Sequence, residues 1–448
     1  MKTILIIGAG RSSTSLIHYL ESKAAKYNWM LRVADKDPEL VRQKTQEPTI
    51  VVQLDIFNET QLEAEIAQAD VVVSMLPARF HPEVALICLK HSKHLLTASY
   101  ESPEVKEMLP EAESKGILFL NELGVDPGID HMSAMQVLDK IRGEGHKLLT
   151  FESFTGGLIA PESDNNPWHY KFTWNPRNVV LAGQGGPAKF IQEGKFKYIP
   201  YNRLFHRTEK IEVEGYGTFE GYANRDSLKY IEHYKLQDVP TVYRGTLRRP
   251  GYSRAWDVFV QLGATDDSYI MEGTEHMTYR EFINSFLYYA DHDSVRLKLM
   301  HYLHLDNDSP ILEKLDWLGI FDDTPIGLKD ATPAQVLQHI LSQKWKLEPE
   351  DKDMIVMWHK FVYQEEEKAH PTYLSSSMGC IGDDQVNTAM SKTVGLPLAI
   401  ATKMVCTGQI DLTGVHIPTP RAIYEPVLAE LETMGIQFFH KEHGNVPN

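Results

Sequence analysis

A glycine-containing turn near the start of the chain has the spacing of a dinucleotide-binding motif. It reads Gly8-Ala9-Gly10-Arg11-Ser12-Ser13 and directly follows a short apolar segment. Gly8 would permit the sharp turn, and Gly10 would let the backbone approach a pyrophosphate. The free N–H groups and positive end of the following helix would then bind that anion. Ser13 is small enough to replace the usual third glycine, and its hydroxyl could cap the helix or contact a phosphate.

An acidic residue stands where such motifs select their cofactor. Asp35 ends a second apolar segment, 25 positions after Gly10, against roughly 20 in typical examples. A carboxylate there accepts hydrogen bonds from the ribose hydroxyls of NAD and repels the 2′-phosphate of NADP. Lys36 follows directly and would instead attract that phosphate. The pair favours NAD and leaves NADP open.

Polar residues at the ends of later apolar segments would line the same edge of a sheet. In an open doubly wound sheet, ligands bind beyond the carboxyl ends of the strands. We expect Asp55 on the adenine side and the run Ser74-Met75-Leu76-Pro77 beside the nicotinamide ribose. Tyr100 and Asp126 would lie nearest the reacting atoms. Further cofactor contacts are expected from Ser99, Gly124 and Val125.

Alternating strands and helices must position these residues. The apolar patterns predict strands over residues 3–7, 30–34, 49–54, 70–77, 94–98 and 117–120. They predict helices over residues 13–26, 60–68, 81–91 and 103–115. This alternation predicts an α/β fold that begins with a Rossmann doubly wound parallel sheet, in the strand order 3-2-1-4-5-6.

The rest of the chain has a different texture. Strands of a mixed sheet are expected at residues 148–154, 211–213 and 256–262, and helices at 282–289, 295–303, 333–343, 353–366, 386–405 and 420–434. We expect a Rossmann domain over 1–123, completed by a C-terminal segment of about 384–448. An α+β substrate domain would comprise 124–275 and about 370–383, and a small helical domain 276–369.

Composition excludes several classes of function. The net charge of −16 argues against nucleic-acid binding, which needs basic patches. No segment approaches the roughly 20 apolar residues that span a membrane, and the N-terminus lacks the layout of a signal peptide. Three scattered cysteines have neither zinc-site nor disulfide spacing, so we expect no metal and a reducing cytoplasm. The histidines at 276, 301 and 304 also lack ligand spacing.

Several ordered motifs resemble one enzyme family over nearly the whole chain. They are Gly124-Val-Asp-Pro-Gly-Ile-Asp-His-Met-Ser-Ala134 and the segments 156–167, 170–174, 224–227, 244–248, 389–397 and 423–428. The chain resembles the saccharopine reductase family (saccharopine dehydrogenase, L-glutamate-forming). The resemblance implies reversible NAD(P)-dependent oxidation of saccharopine to 2-aminoadipate 6-semialdehyde and L-glutamate in lysine metabolism. It also implies a Rossmann domain, a mixed-sheet substrate domain and a small helical domain.

The cofactor region departs from the family pattern. Family members that use NADP typically carry a small or basic residue where Asp35 stands, whereas the family as a whole favours NADP. Arg11 and Ser12 replace the more usual apolar residues after the glycine turn and would add phosphate contacts. The choice between NAD and NADP therefore stays open at this point.

A substrate with three carboxylates requires cations and hydrogen-bond donors. Arginine suits carboxylates because its N–H groups pair with both oxygens. Arg225 is the leading candidate, and Arg244 and Lys171 follow. Trp174 would form an apolar wall that excludes water. Further hydrogen bonds to substrate are expected from Thr246, Ser99 and Tyr100.

Oxidation of a secondary amine also requires a group that moves protons. Asp126 is the carboxylate best placed by sequence, and it would also hold a substrate ammonium group. Tyr100 is the second expected catalytic residue. Asp130 would contact substrate one helical turn further on. His131 lies beside it, although a packing or capping role is more common for such a histidine.

Two alternative functions remain on sequence grounds. One is a related amine or imine oxidoreductase resembling carboxynorspermidine dehydrogenase or lysine 6-dehydrogenase, in which a polyamine would require acidic residues in place of Arg225 and Arg244. The other is a cofactor-bound scaffold without turnover, which would keep the glycine turn but lose the later motifs. The expected partners are saccharopine, glutamate and the semialdehyde, and a homodimer is possible.

Overall fold

The computed structural model describes residues 1–443, and its strands and helices follow one another along the chain. The strands are β1 (Lys2–Ile7), β2 (Trp29–Asp35), β3 (Ile50–Gln53), β4 (Val71–Ser74), β5 (His94–Thr97), β6 (Leu118–Leu120), β7 (Lys147–Ile159), β8 (Ala188–Gln192), β9 (Lys195–Ile199), β10 (Thr208–Val213), β11 (Gly217–Ala223), β12 (Thr241–Arg248), β13 (Asp353–Gln364), β14 (Thr372–Ile381), β15 (Gly414–His416) and β16 (Phe439–His443). The helices are α1 (Thr14–Tyr27), α2 (Pro38–Arg42), α3 (Glu59–Gln68), α4 (His81–Lys90), α5 (Pro103–Lys106), α6 (Leu109–Ser114), α7 (Ile129–Gly143), α8 (Pro176–Leu181), α9 (Tyr230–His233), α10 (Tyr252–Leu262), α11 (Tyr279–Asn284), α12 (Val295–Leu303), α13 (Pro310–Leu318), α14 (Pro333–Lys344), α15 (Ala389–Cys406) and α16 (Arg421–Thr433).

The chain divides into two compact units. The first comprises Met1–Lys147, Glu365–Lys368 and Met378–His440. The second comprises Leu148–Gln364, Ala369–Ser377 and, among the described residues, 441–443. The predicted return segment of about 384–448 includes residues 444–448, which lie outside the described residues. The three-domain limits given above stay a prediction.

The first unit contains a seven-stranded sheet in the order β15-β6-β5-β4-β1-β2-β3. Its paired strands are parallel, with Ile4 opposite Leu31 on one side and Val71 on the other. This confirms the predicted Rossmann sheet and its strand order. The sequence missed β15, which returns from the C-terminal segment and pairs with β6. Because the strands are covered on both faces, they read as continuous apolar runs.

One predicted helix of this unit is two helices. The pattern over 103–115 divides into α5 and α6, with Pro110 in the first turn of α6. Proline has no N–H to donate and its ring clashes with the preceding turn, so it is tolerated in a first turn but not within a helix. The chain therefore restarts its helix at Leu109.

The second unit contains most of a nine-stranded sheet that is mixed, as expected. Its main path is β10-β11-β12-β7-β13-β14-β16, and β8 and β9 extend from β12. β11 and β12 are antiparallel, whereas β12 and β7 are parallel. The helices α11 to α14 pack with this sheet in one hydrophobic core that includes Phe154, Phe282, Leu337 and Trp345.

Two elements of the second unit were predicted with the wrong type. Residues 256–262, expected as a strand, belong to helix α10, and residues 353–366, expected as a helix, form strand β13 over Asp353–Gln364. Both segments are buried on nearly all sides. Periodicity cannot distinguish a buried helix from a buried strand when apolar residues occupy every face. The predicted helix at 282–289 also ends earlier, at Asn284.

Across residues 1–443, no helix combines the length and the apolar character needed to cross a membrane.

Candidate cofactor and substrate sites

The first glycine of the turn is required by the backbone. Gly8 has φ of +103°, and a Cβ placed on it would lie 3.1 Å from the carbonyl carbon and oxygen of Met75 at the end of β4. Its N–H donates to the carbonyl of Ala34 at 2.7 Å. Since only glycine tolerates both this φ and this contact, Gly8 holds the turn directly against the neighbouring strand ends.

The second glycine leaves open space where a phosphate group would fit. No atom lies within 4 Å of a Cβ placed on Gly10, and its φ is −64°. A short 3-10 turn, Arg11–Ser13, then leads into α1. This open backbone before a helix start leaves room for the pyrophosphate of a dinucleotide. The cofactor contacts of Gly8 and Gly10 stay predictions. Arg11 and Ser12 lie on this turn.

The hydroxyl of Ser13 forms a hydrogen bond within the protein. Its side chain is fully buried, and its hydroxyl donates to the carbonyl of Gly10 at 2.8 Å. It makes no capping hydrogen bond to α1, so the expectation that it caps the helix is wrong. Its contact with a phosphate stays a prediction.

Close packing against α1 is supplied by a glycine that the sequence analysis did not assign to this site. A Cβ on Gly395 in α15 would lie 2.8 Å from the N atom of Leu16. One turn earlier in α15, the hydroxyl of Ser391 accepts from the N–H of Ser15 at 3.0 Å. Small residues four apart on a helix, at 391 and 395, were the available signal. Helix α15 therefore helps to fix the start of α1.

Asp35 already holds part of the glycine turn. One carboxylate oxygen accepts the N–H of Ala9 at 2.8 Å, and the other accepts the N–H of Asp37 at 3.1 Å. Each oxygen keeps a second lone-pair site that a ribose hydroxyl could use. The carboxylate is thus beside the turn, where a cofactor-selecting acid belongs.

A buried lysine, missed from the sequence, adds positive charge beside Asp35. Lys44 donates from Nζ to the carbonyl of Gly10 at 2.5 Å and is 9% exposed. Burial lowers the pKa of its ammonium group to about 8, while the charge of Asp35 acts in the opposite direction and that of Arg11 adds to the lowering. Arg11, Lys44 and Asp35 therefore influence one another electrostatically at this turn. Lys36 is exposed.

A buried histidine joins two of the predicted strand-end residues. His81, the first residue of α4, lies with Nδ1 3.1 Å from the hydroxyl of Ser74 and Nε2 2.8 Å from that of Ser99. Thr97 is 3.2 Å from the same Nε2. Burial lowers the pKa of His81 to about 4, so its ring is neutral near pH 7. Ser74 is fully buried, and its hydroxyl serves this network.

The His81 network predicts a dependence of stability on pH. The pKa of His81 falls from 6.5 in the unfolded chain to about 4 in the fold, so its contribution is complete above about pH 6.5 and is lost as the pH falls towards 4. Between about pH 7.5 and pH 4.5, we expect the wild type to lose about 2 kcal/mol more unfolding free energy than His81→Gln. Urea unfolding at both pH values measures this difference. An equal loss in both proteins would contradict the assignment.

The remaining predicted cofactor residues lie towards the surface. Met75 and Leu76 are half-buried, and Pro77 is exposed. Asp55 is also exposed, and its carboxylate accepts the N–H of Phe57 at 3.1 Å. Their contacts with a cofactor stay predictions.

The two predicted catalytic residues meet in the structure. The hydroxyl of Tyr100 donates to Oδ1 of Asp126 at 3.4 Å. Tyr100 is 50% exposed and Asp126 is half-buried, so both side chains are accessible to a ligand. Asp126 precedes a cis peptide bond to Pro127 within a turn closed by the Gly124 N–H and the Pro127 carbonyl at 2.9 Å. Val125 beside it is buried.

Asp130 and His131 lie inside the protein instead of facing a substrate. Asp130 is 1% exposed, and its Oδ1 accepts the N–H of Gly128 at 2.6 Å. The predicted substrate contact of Asp130 is therefore wrong, because its carboxylate closes the turn that carries Asp126. His131 is fully buried, with Nε2 2.6 Å from Oε2 of Glu122.

In the second unit, β11 and β12 bring together part of the predicted substrate set. Arg244 is buried with its guanidinium 4.0 Å from the ring centre of Tyr230, and its backbone N–H donates to the hydroxyl of Ser227 at 3.0 Å. Two positions along β12, Thr246 donates to Asn224 at 2.8 Å. Because side chains alternate along a strand, Arg244 and Thr246 share one face of the sheet.

The other predicted substrate residues are engaged within this unit. Lys171 is buried in an ion pair with Asp351 at 2.5 Å, so its role as a substrate cation is wrong: an internal carboxylate neutralises it. The exposed Arg225 donates to the carbonyl of Leu181 at 2.8 Å and to that of Gln184, next to the end of α8. Trp174 is half-buried and packs against the core. Roles for Arg225 and Trp174 in substrate binding stay predictions.

Within the described part of the chain, no three His, Cys, Asp or Glu side chains come together in a way that could hold a metal ion.

Comparison with known proteins places this geometry in a family. The model "Saccharopine dehydrogenase NADP binding domain" matches residues 4–120, and "Saccharopine dehydrogenase C-terminal domain" matches residues 124–436. Saccharopine dehydrogenase [NADP(+), L-glutamate-forming] of Pyricularia oryzae is 31% identical over 97% of this chain and 98% of its own length.

Two further comparisons extend this likeness. The mitochondrial alpha-aminoadipic semialdehyde synthase of Rattus norvegicus is 32% identical over 98% of this chain, which spans 47% of that protein's length. Apo saccharopine dehydrogenase (L-Glu forming) from Saccharomyces cerevisiae superposes with a TM-score of 0.88 at 29% identity, covering 99% of this chain and 100% of the other. The chain thus belongs to the saccharopine dehydrogenase family.

Proposed function

We propose that this chain catalyses the reversible NAD(P)-dependent oxidation of saccharopine. Saccharopine, oxidised cofactor and water would give L-glutamate, 2-aminoadipate 6-semialdehyde, reduced cofactor and a proton. The observation that carries the proposal is the Tyr100–Asp126 contact at 3.4 Å, in the unit that also holds the open glycine turn. Near-full-length likeness to an L-glutamate-forming saccharopine dehydrogenase supports the choice of substrate.

Asp126 is the proposed proton-transfer group. The secondary amine must lose its proton before the neighbouring carbon releases hydride, and a carboxylate in contact with the amine can accept that proton. The nicotinamide ring supplies the hydride acceptor when the cofactor is bound. After water adds to the resulting imine, the C–N bond breaks, the nitrogen leaves with glutamate and the carbon becomes the aldehyde. Tyr100, bonded to Asp126, would orient the carboxylate through these steps.

The second unit carries a polar face on β11 and β12 whose chemistry suits carboxylates. Arg244 supplies the positive charge, and Thr246 and Asn224 supply hydrogen-bonding groups on the same face. This composition suits an anionic substrate, whereas a polyamine would require carboxylates at these positions. The face therefore favours saccharopine over the carboxynorspermidine-like alternative.

We infer that NAD is the better cofactor. Asp35 accepts a hydrogen bond from the backbone N–H of Ala9 in the glycine turn. Its carboxylate would accept hydrogen bonds from ribose hydroxyls and repel a 2′-phosphate. Arg11 and the buried Lys44 add positive charge at the same turn, which favours binding of the pyrophosphate that NAD and NADP share. The name of the matching family model and those of the fungal relatives point towards NADP. The proposed preference for NAD over NADP therefore depends on Asp35.

Replacing Asp35 by alanine should shift cofactor preference towards NADP. Removing the carboxylate removes its repulsion of the 2′-phosphate, so we expect kcat/KM for NADP+ relative to NAD+ to rise about 10-fold or more. Initial rates with both cofactors measure the ratio. Asp37→Ala is the matched control, because it removes a nearby carboxylate that caps α2. A ratio that is unchanged in Asp35→Ala would contradict the role of Asp35.

The proposed reaction is tested by following reduced-cofactor absorbance. Purified protein is mixed with saccharopine, with carboxynorspermidine or with lysine, and with NAD+ or NADP+. We expect turnover with saccharopine and much slower turnover with the other two. Turnover of carboxynorspermidine without saccharopine activity would support the alternative enzyme, and no turnover of any substrate would support a scaffold.

The cellular setting is a further proposal. Cys88, Cys380 and Cys406 are buried thiols that form no disulfide with one another, and the proposed setting is a reducing cytoplasm, where thiols stay reduced. The homodimer stays a prediction, as do the small-molecule partners glutamate and the semialdehyde.

A further inference from the structure

Glu122 and His131 form a buried carboxylate–imidazole contact. Hydrogen bonds connect this contact to the segments that carry Tyr100 and Asp126. Oε2 of Glu122 is 2.6 Å from Nε2 of His131, and the two residues are 6% and 0% exposed. Glu122 also has φ of +59°, a left-handed conformation that residues other than glycine seldom adopt. Surrounding contacts must therefore hold Glu122 in place.

Glu122 forms hydrogen bonds to the backbone on both sides of Tyr100. Its own N–H donates to the carbonyl of Ser99 at 3.0 Å. Its Oε1 accepts the N–H of Glu101 at 3.0 Å. Because these two bonds flank a single residue, the position of the Tyr100 backbone is set by Glu122.

His131 connects Glu122 to the segment that carries Asp126. His131 lies in the first turn of α7, and the residue before it, Asp130, donates its N–H to the carbonyl of Val125 at 3.1 Å. The carboxylate of Asp130 also binds Gly128 at 2.6 Å. The Asp126 turn is thereby fixed to the start of α7, and the Glu122–His131 contact joins it to the Tyr100 segment.

We propose that Glu122 is a positioning residue that, through His131, holds Tyr100 and Asp126 at the distance their reaction requires. The proposal rests on the proposed function of that pair. Glu122 is buried and acts through the backbone of Ser99 and Glu101, so it touches neither substrate nor cofactor in this account. Displacement of a reacting group by about 1 Å can lower a rate about 100-fold, which gives such a contact a measurable effect.

A double-mutant cycle tests the proposal. The proteins are wild type, Glu122→Gln, Tyr100→Phe and the double variant, assayed for kcat and KM with saccharopine, for cofactor KM and for melting temperature. If Glu122 acts through the Tyr100 hydroxyl, Glu122→Gln should lower kcat at least about 10-fold in the wild type and less than about 3-fold in Tyr100→Phe. Cofactor KM should change little. Glu101→Gln is the matched control, since that residue contributes only its backbone N–H to the contact.

A structural readout separates this inference from the proposed function. In a crystal structure of Glu122→Gln, we expect the Tyr100 hydroxyl to lie about 1 Å or more farther from Oδ1 of Asp126. This result does not depend on which substrate is turned over, whereas absence of wild-type activity with saccharopine would refute the proposed function.

Three results would overturn the positioning role. They are an unchanged Tyr100–Asp126 distance, an unchanged kcat in Glu122→Gln, and an equal loss of kcat in the two backgrounds. If Glu122→Gln does not melt cooperatively, the same cycle and structure are obtained with His131→Gln, which breaks the contact from the other side. Failure of both variants to fold would assign the pair to stability and also overturn the proposal.

Discussion

Replacing Asp126 by asparagine should lower kcat for saccharopine oxidation about 100-fold or more. Asparagine keeps the size of the side chain and can still accept from the Tyr100 hydroxyl, but it cannot take a proton from the substrate amine. Asp126 is half-buried and its contact with Tyr100 lies at the protein surface, so we expect the fold to survive the change. Steady-state rates with saturating saccharopine and cofactor measure the effect.

The control for Asp126→Asn is Glu104→Gln. Glu104 is an exposed carboxylate in the first turn of α5, and its loss should leave kcat unchanged. Cofactor binding should be the same in both variants and in the wild type. A fall in kcat of less than about 10-fold in Asp126→Asn would leave too small an effect for general acid–base catalysis and would assign the proton transfer to another group.

Replacing Gly8 by valine should greatly weaken cofactor binding. A valine at φ of +103° is strained, and its Cβ would lie 3.1 Å from the backbone of Met75, so the turn must move away from the strand ends. We expect the dissociation constant of the reduced cofactor to rise about 100-fold or more, with a lower melting temperature. Fluorescence titration and thermal unfolding measure the two effects.

Substitutions at two other glycines show whether Gly8→Val acts through the cofactor-binding turn or through a general loss of stability. Gly10→Ala places a methyl group in open space, so it should preserve the melting temperature while weakening cofactor binding. Gly143→Ala lies in α7 with nothing within 4 Å of its Cβ and should change neither. Normal cofactor binding in Gly8→Val would mean that the cofactor does not depend on this turn.

The parallel sheet of the first unit was predictable because its local signals agree. The glycine turn after β1, the acid at the end of β2 and the apolar runs of β4 and β5 all indicate the same topology. The added strand β15 could not be foreseen, since its pairing with β6 joins residues separated by nearly 300 positions. In the second unit, periodicity failed for α10 and β13 because both are buried on nearly every face.

The candidate site was predictable where function depends on strand ends. Tyr100 and Asp126 were both expected near the reacting atoms, and they lie in contact because both follow strands of one parallel sheet. The roles of Lys44, His81 and Glu122 depend instead on contacts between distant segments, which no local pattern encodes. For the same reason the sequence could not show that Lys171 is neutralised by Asp351, 180 positions away.

Identification of the products of saccharopine oxidation tests the central claim most directly. The protein is incubated with saccharopine and NAD+ or NADP+, and the products are separated and identified by mass spectrometry. We expect L-glutamate and 2-aminoadipate 6-semialdehyde in amounts equal to the reduced cofactor formed. Formation of lysine and 2-oxoglutarate, or no cofactor reduction with either nucleotide, would contradict it.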